Sequence, residues 1–193
     1  MKKMPMWIFL VTILFGNGLF SKTAEARQGF AVGVGPIGNI FLIDTLPIMD
    51  PGLGGHVFFQ YRFQEQLAFE TTFMMTTQDG NDTVSSEGGI LFLGMPTVDI
   101  KYYFLKNDPK FDPFVSTGLG LYWLTEGKIS NNTGGFGLGS QLGLGFDYYV
   151  TDTISVGFQG TFRPIALITN LGTPSGSTAI FPYSLMGNVA FHF

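Results

Sequence analysis

Phe136-Gly137-Leu138-Gly139-Ser140-Gln141-Leu142-Gly143-Leu144-Gly145-Phe146-Asp147-Tyr148 alternates without a break. Every even position but Ser140 is bulky and apolar, and the odd positions hold only Gly, Gln and Asp. A period of two is the signature of a strand, because successive side chains leave a pleated chain on opposite faces. The face split is inverted relative to a soluble sheet. There the apolar face is buried and the other carries long polar groups into water. Here the polar face is almost devoid of bulk, while the apolar face is large and aromatic.

Seven further stretches repeat this pattern. Residues 29–42 put Phe30, Val32 and Val34 on the apolar face. Residues 56–63 put Val57, Phe59, Tyr61 and Phe63 opposite His56, Phe58, Gln60 and Arg62. Residues 67–75 put Leu67, Phe69, Phe73 and Met75 opposite Ala68, Glu70, Thr72 and Met74. Residues 90–104 put Phe92, Gly94, Val98, Ile100 and Tyr102 opposite Leu91, Leu93, Met95, Asp99 and Lys101. Residues 115–124 set Leu119, Leu121 and Trp123 against Gly118, Gly120, Tyr122 and Leu124. Residues 154–163 set Val156 and Phe158 against Gln159 and Arg163, and residues 181–193 set Leu185, Val189, Phe191 and Phe193 against Ser184, Met186 and His192. No apolar-face position in any of them carries a charge. Arg62, Glu70, Asp99, Lys101, Asp147 and Arg163 all fall on the other face.

The composition agrees. Only 12% of the 193 residues are charged, with a formal net charge of −4, while Gly (27) and Phe (21) are abundant. Mean hydropathy is +0.27, yet no apolar run reaches the length of a spanning helix. The absence of Cys excludes a disulfide framework, a thiolate metal site and a catalytic thiol. No Lys/Arg cluster lies beyond the N-terminus, so nucleic acid is not an expected partner. No cofactor is expected either. An all-β, eight-stranded, antiparallel up-and-down transmembrane barrel explains both faces: bulky apolar groups meet lipid, and small or polar groups fill a narrow lumen. An open sheet would leave edge N–H and C=O groups unsatisfied in hydrocarbon.

Residues 1–26 read as a signal peptide. Lys2 and Lys3 precede an apolar stretch too short to span a bilayer, and Ala24-Glu25-Ala26 forms a cleavage site. Residues 27–193 are then the barrel domain. Its connections alternate in length. Those at 64–66, 105–112 and 150–153 are short or moderate; those at 43–55, 76–89, 125–133 and 164–178 are mostly longer and rich in Gly, Asn, Asp, Thr and Ser. The expected location is a Gram-negative outer membrane, with termini and short turns in the periplasm and long loops outside. Phe30, Tyr61, Phe63, Tyr102, Phe104, Phe146, Tyr148, Phe191 and Phe193 would form the periplasmic aromatic girdle. Trp123, Phe136, Phe162 and Phe181 would lie nearer the outer interface.

Several segments resemble small outer-membrane barrels. The strand end Thr97-Val98-Asp99-Ile100-Lys101-Tyr102-Tyr103-Phe104 and the strand start Phe111-Asp112-Pro113-Phe114-Val115-Ser116-Thr117-Gly118-Leu119-Gly120 are similar to the outer membrane protein W family. Gly145-Phe146-Asp147-Tyr148-Tyr149-Val150-Thr151-Asp152 is similar to a hairpin of that family and of OmpA-like barrels. The alternating aromatics ending in Phe191 and Phe193 resemble the signal read by the barrel-assembly machinery. The resemblance implies a non-enzymatic, porin-like cell-envelope protein that conducts or binds small apolar molecules. Outer-membrane lipid and lipopolysaccharide would surround it. The alternative is a structural or surface-interaction barrel, adhesin-like or receptor-like, working through its extracellular loops.

Other motifs weigh less. Gly33-Val34-Gly35-Pro36-Ile37-Gly38 matches a dinucleotide-binding pattern, but no helix pattern or ribose-binding acid follows, so strand glycines explain it better. Asn81-Asp82-Thr83 and Asn131-Asn132-Thr133 read as loop residues. His56 lacks the Ser two positions on that the barrel deacylases use, and no spacing forces Asp50, Ser85 or Ser86 towards it. No catalytic residue is therefore assigned.

A bare charge in a narrow lumen is costly, so the inward charges should pair. Arg62, Glu70, Asp99 and Lys101 are expected to form a polar plug in the lower lumen, with Arg62 diagonal to Glu70. By parity, Phe58, Met74, Leu91, Leu93, Met95, Tyr122 and Leu124 should line the upper lumen, as a packed core or a pocket for a small apolar ligand. Pro36, Pro96 and Pro182 each remove a ladder donor. The seam between the first and last strands is the expected weak point of the wall.

Overall fold

The computed structural model describes residues 27–42, 51–78, 90–106, 110–126, 134–169 and 178–193. The signal segment 1–26, both Asn-x-Thr motifs, Asp50, Ser85 and Ser86 lie outside the described residues. Ten strand segments follow in order: β1 (Gly29–Phe41), β2 (Gly52–Gln64), β3 (Leu67–Gln78), β4 (Ile90–Tyr103), β5 (Phe111–Glu126), β6 (Gly134–Tyr149), β7 (Ile154–Phe162), β8 (Ile165–Thr169), β9 (Thr178–Ile180) and β10 (Pro182–His192). They form eight staves. β7 and β8 are one stave broken at Arg163-Pro164, and both pair with β6; β9 and β10 are one stave broken at Phe181.

All pairings are antiparallel. Consecutive staves pair around the wall, and β1 pairs with β10 to close it. Closure removes the edges that a membrane would not tolerate. No helix among the described residues is long and apolar enough to cross a membrane. The outer wall exposes Phe30, Phe59, Leu119, Leu142, Leu144, Val189 and many other large apolar groups. The charges foreseen as inward are buried: Arg62, Glu70, Asp99, Lys101, Asp147 and Arg163.

Two expectations about the strands are corrected. The first concerns parity in β4. Leu91 and Leu93 are only half-buried and Met95 is 44% exposed, so these three face outward, whereas Phe92 is fully buried in the lumen. The cause is an extra residue at Met95-Pro96. The β4–β5 register runs Gly94↔Tyr122 and then Thr97↔Gly120, and β3–β4 shifts at the same level. A bulge inverts every side chain beyond it, and Pro96 fits there because it has no ladder N–H to lose. Below the bulge, Val98, Ile100 and Tyr102 keep the expected outward face. The second concerns strand length. β2 starts before residue 56, β3 runs to Gln78, and the stave of β7 continues past Pro164 as β8. The long connections are correspondingly shorter than their composition suggested.

Glycine accommodates two close approaches. Gly33 lies under the Phe58 ring, where an added Cβ would fall 2.3 Å from a ring carbon. The glycines of the 33–38 motif lie within β1, which runs on as strand to Phe41. Gly29 has φ +138°, and its added Cβ would sit 2.7 Å from the Phe193 carbonyl, where the chain end closes the barrel.

Candidate functional site: the occupied lumen

At the end that carries the short turns, the lumen is filled by a cross-wall network. Lys101 Nζ lies 2.6 Å from Glu70 Oε2. It also sits 4.3 Å from the centre of the Phe114 ring. Glu70 faces Asp99 directly across the β3–β4 ladder. Two carboxylates opposed in this way repel each other, and the diagonal Lys101 offsets that repulsion. Asp99 is held from β6, across β5, where Gln141 Nε2 donates to its Oδ2 at 2.5 Å. Gln141 Oε1 in turn accepts from Arg163 Nε at 3.0 Å and from the Tyr122 hydroxyl at 3.1 Å.

Arg62 departs from its expected partner. It pairs with Asp112 at 2.8 Å across the lumen rather than with Glu70. Its guanidinium lies 3.9 Å from the Tyr103 ring centre and donates to the Glu65 carbonyl through Nε at 2.9 Å. The Tyr103 hydroxyl donates to Asp147 at 2.9 Å and accepts from Gln60 at 3.0 Å. The four residues expected as a plug thus lie in one polar lumen, but in two linked groups. Asp112, Tyr103, Gln141 and Tyr149 complete it, and none of them was assigned to the plug from sequence. Asp112 had been placed in a turn; continuing the alternation of β5 back through Phe114 and Asp112 would have found it.

Towards the other end the lumen becomes apolar. Met74, Phe92, Tyr122 and Leu124 pack with Ile37, Ile165, Leu167, Ile180 and Met186, with Phe41 against them. The Phe92 and Tyr122 rings stack at 5.7 Å. Phe58 is buried below this cluster, its ring 5.4 Å from Lys101 Nζ. Of the residues expected to line the upper lumen, Phe58, Met74, Tyr122 and Leu124 point inward. Leu91, Leu93 and Met95 do not, and Phe92 takes their place.

The histidines are set apart from one another. His56 is buried on β2 opposite Met74, near the Phe58 ring. His192 Nε2 lies 2.8 Å from Ser155 Oγ at the short-turn end, with its ring against Tyr149. Among the described residues, neither ring is hydrogen-bonded to an acid, and no group of acids and histidines is disposed to hold a metal ion.

A closed wall, an apolar exterior and charges turned into the lumen define an integral β-barrel of the outer-membrane class. The chain matches the family model described as outer membrane protein beta-barrel domain over residues 9–176, and it belongs to that family. Its fold is similar to Neisserial surface protein A, with TM-score 0.69 and 14% identity, covering 86% of this chain and 98% of that one. It is similar to Ail, the attachment invasion locus protein of Yersinia pestis, in complex with the heparin analogue sucrose octasulfate, with TM-score 0.60, 11% identity and coverage of 86% and 100%. It is also similar to the outer membrane protein W of E. coli, with TM-score 0.50, 15% identity and coverage of 86% and 100%. No curated protein matches the chain.

Proposed function

We propose that this protein is a non-enzymatic outer-membrane barrel that works through its exposed surface and not through an open lumen. Its short turns and chain ends would face the periplasm, where the barrel-assembly machinery receives the terminal strand. Its long connections would face outward, among lipopolysaccharide. The observation that carries this reading is the lumen itself. Its lower half is crossed by paired charges and its upper half is packed with apolar side chains. An eight-stranded barrel has just enough interior for its own side chains. The names of the Neisserial surface protein and the Yersinia attachment protein fit the same reading.

Planar-bilayer recording tests it. Folded wild-type protein should show no steady conductance, and replacing residues 79–89 with a Gly-Ser linker should abolish cell-surface binding while the barrel still folds. A steady conductance through wild-type protein overturns the reading.

A second reading is supported by the seam between β1 and β10. The paired register passes from Val34↔Val189 to Ile37↔Met186 and skips Gly35 and Pro36. Apolar molecules would then enter the upper lumen and leave sideways there. Passage would require Phe92 and Tyr122 to move. Phe92→Ala should then speed the uptake of a fluorescent apolar probe by cells; an unchanged rate defeats this second reading.

A further inference from the structure

The wall is thinned at one level of its outer face. Ser140 N–H donates to the Pro164 carbonyl at 3.1 Å, and Arg163 N–H donates to the Pro182 carbonyl at 2.9 Å. In an antiparallel ladder, such a pair normally exchanges both bonds, because the N–H and C=O of a residue point to the same neighbour. Pro164 and Pro182 have no N–H to return. The Ser140 and Arg163 carbonyls therefore each face a proline nitrogen, on two successive seams at the same level. In hydrocarbon, an acceptor without a donor is costly.

Beside the Ser140 seam lies a groove of about 420 Å³ in the outer wall, lined by Leu119, Leu138, Ser140, Pro164, Ala166 and Phe181. Leu138, Ala166 and Ala179 form one row across β6, β8 and β9. The two alanines leave the hollow between Leu138 and Phe181. The row lies two residues from the Trp123↔Phe136 pair, on the same outward face. The groove is thus set in the apolar band, and the surrounding medium supplies hydrocarbon chains to it. The orphaned carbonyl adds a demand that a plain chain does not meet.

We propose that this groove holds an acyl chain of a membrane lipid that carries a hydroxyl group, the hydroxyl donating to the Ser140 carbonyl. The apolar lining takes the chain, and the proline gap selects the substituted one. Neither part depends on whether the lumen conducts.

The test uses the folded full chain in detergent and a myristic acid probe bearing a diazirine, with the labelled residues mapped by mass spectrometry. Label should concentrate on the groove. Unlabelled β-hydroxymyristic acid should displace it at about one-fifth the concentration of myristic acid, the preference that one net hydrogen bond confers. Pro164→Ala restores the missing N–H and should erase that preference while still taking label. Ala166→Phe fills the hollow and should remove the label from the groove. Equal displacement by the two acids on wild-type protein, or label spread evenly around the wall, overturns the proposal. So does a preference that survives in Pro164→Ala. If Pro164→Ala fails to fold, the wild-type competition decides alone.

Discussion

Lys101 is buried among groups that hold it only jointly: Glu70 at 2.6 Å, the Phe114 ring, and Asp99 two residues away on its own strand. Breaking a buried pair from one side strands the other charge, at a cost of about 3–5 kcal/mol. Lys101→Met should therefore lower the unfolding free energy in urea by that order. Adding Glu70→Leu to it should recover most of the loss, because both charges are then gone. Equal destabilisation by the single and double variants would show that the pair does not hold the lumen together. Alternation made the inward direction of these residues legible, since a charge on the lipid face was never tolerable. It could not show which wall each charge reaches across to. Arg62 finds Asp112 fifty positions away, and that choice depends on lumen width and on Tyr103 filling the space beside the guanidinium.

At the level of the element, β4 shows where a period-two reading fails. Nothing in a run such as Leu91-Phe92-Leu93-Gly94-Met95 says which parity is inward, because both faces are apolar. One inserted residue inverts the rest of the strand. Pro96 is the visible signal, but a residue without a ladder N–H marks a missing donor and a bulge alike. The chain has no Cys, so introduced thiols report faces without background. Leu93→Cys and Met95→Cys should react with a membrane-soluble maleimide in the folded barrel, whereas Phe92→Cys should react only after unfolding. Reaction at Phe92 with protection at Leu93 would restore the uninterrupted parity. In β6 the parity is legible because its faces differ in bulk: it sets Gly137, Gly139 and Gly143 against Leu138, Leu142 and Leu144.

For the molecule as a whole, the exterior is the part most fully determined by its solvent. Leu119 and Leu142 are strongly exposed in a wall that turns Arg62, Glu70, Asp99, Lys101, Asp112 and Asp147 inward. That arrangement is stable only where hydrocarbon takes the place of water. Arg at either site, placed at mid-depth, should cost about 2–4 kcal/mol in lipid vesicles. An Arg at Asp152, exposed in the short turn, should cost little. Closure is the other global property. The last residue enters it directly, since Phe193 N–H donates to the Phe30 carbonyl at 2.8 Å where Gly29 makes room for the chain end. A barrel closed in this way resists detergent until heated, so wild-type protein recovered from outer membranes should migrate differently on gels before and after boiling. Deleting Phe193 removes both that backbone bond and a lipid-facing aromatic. The unboiled folded band should weaken, while the surviving fraction keeps the wild-type mobility. If the deletion leaves the folded yield unchanged, the end of β10 does not direct assembly, and the seam is held by the pairs from Ala31↔His192 to Phe41↔Pro182 alone.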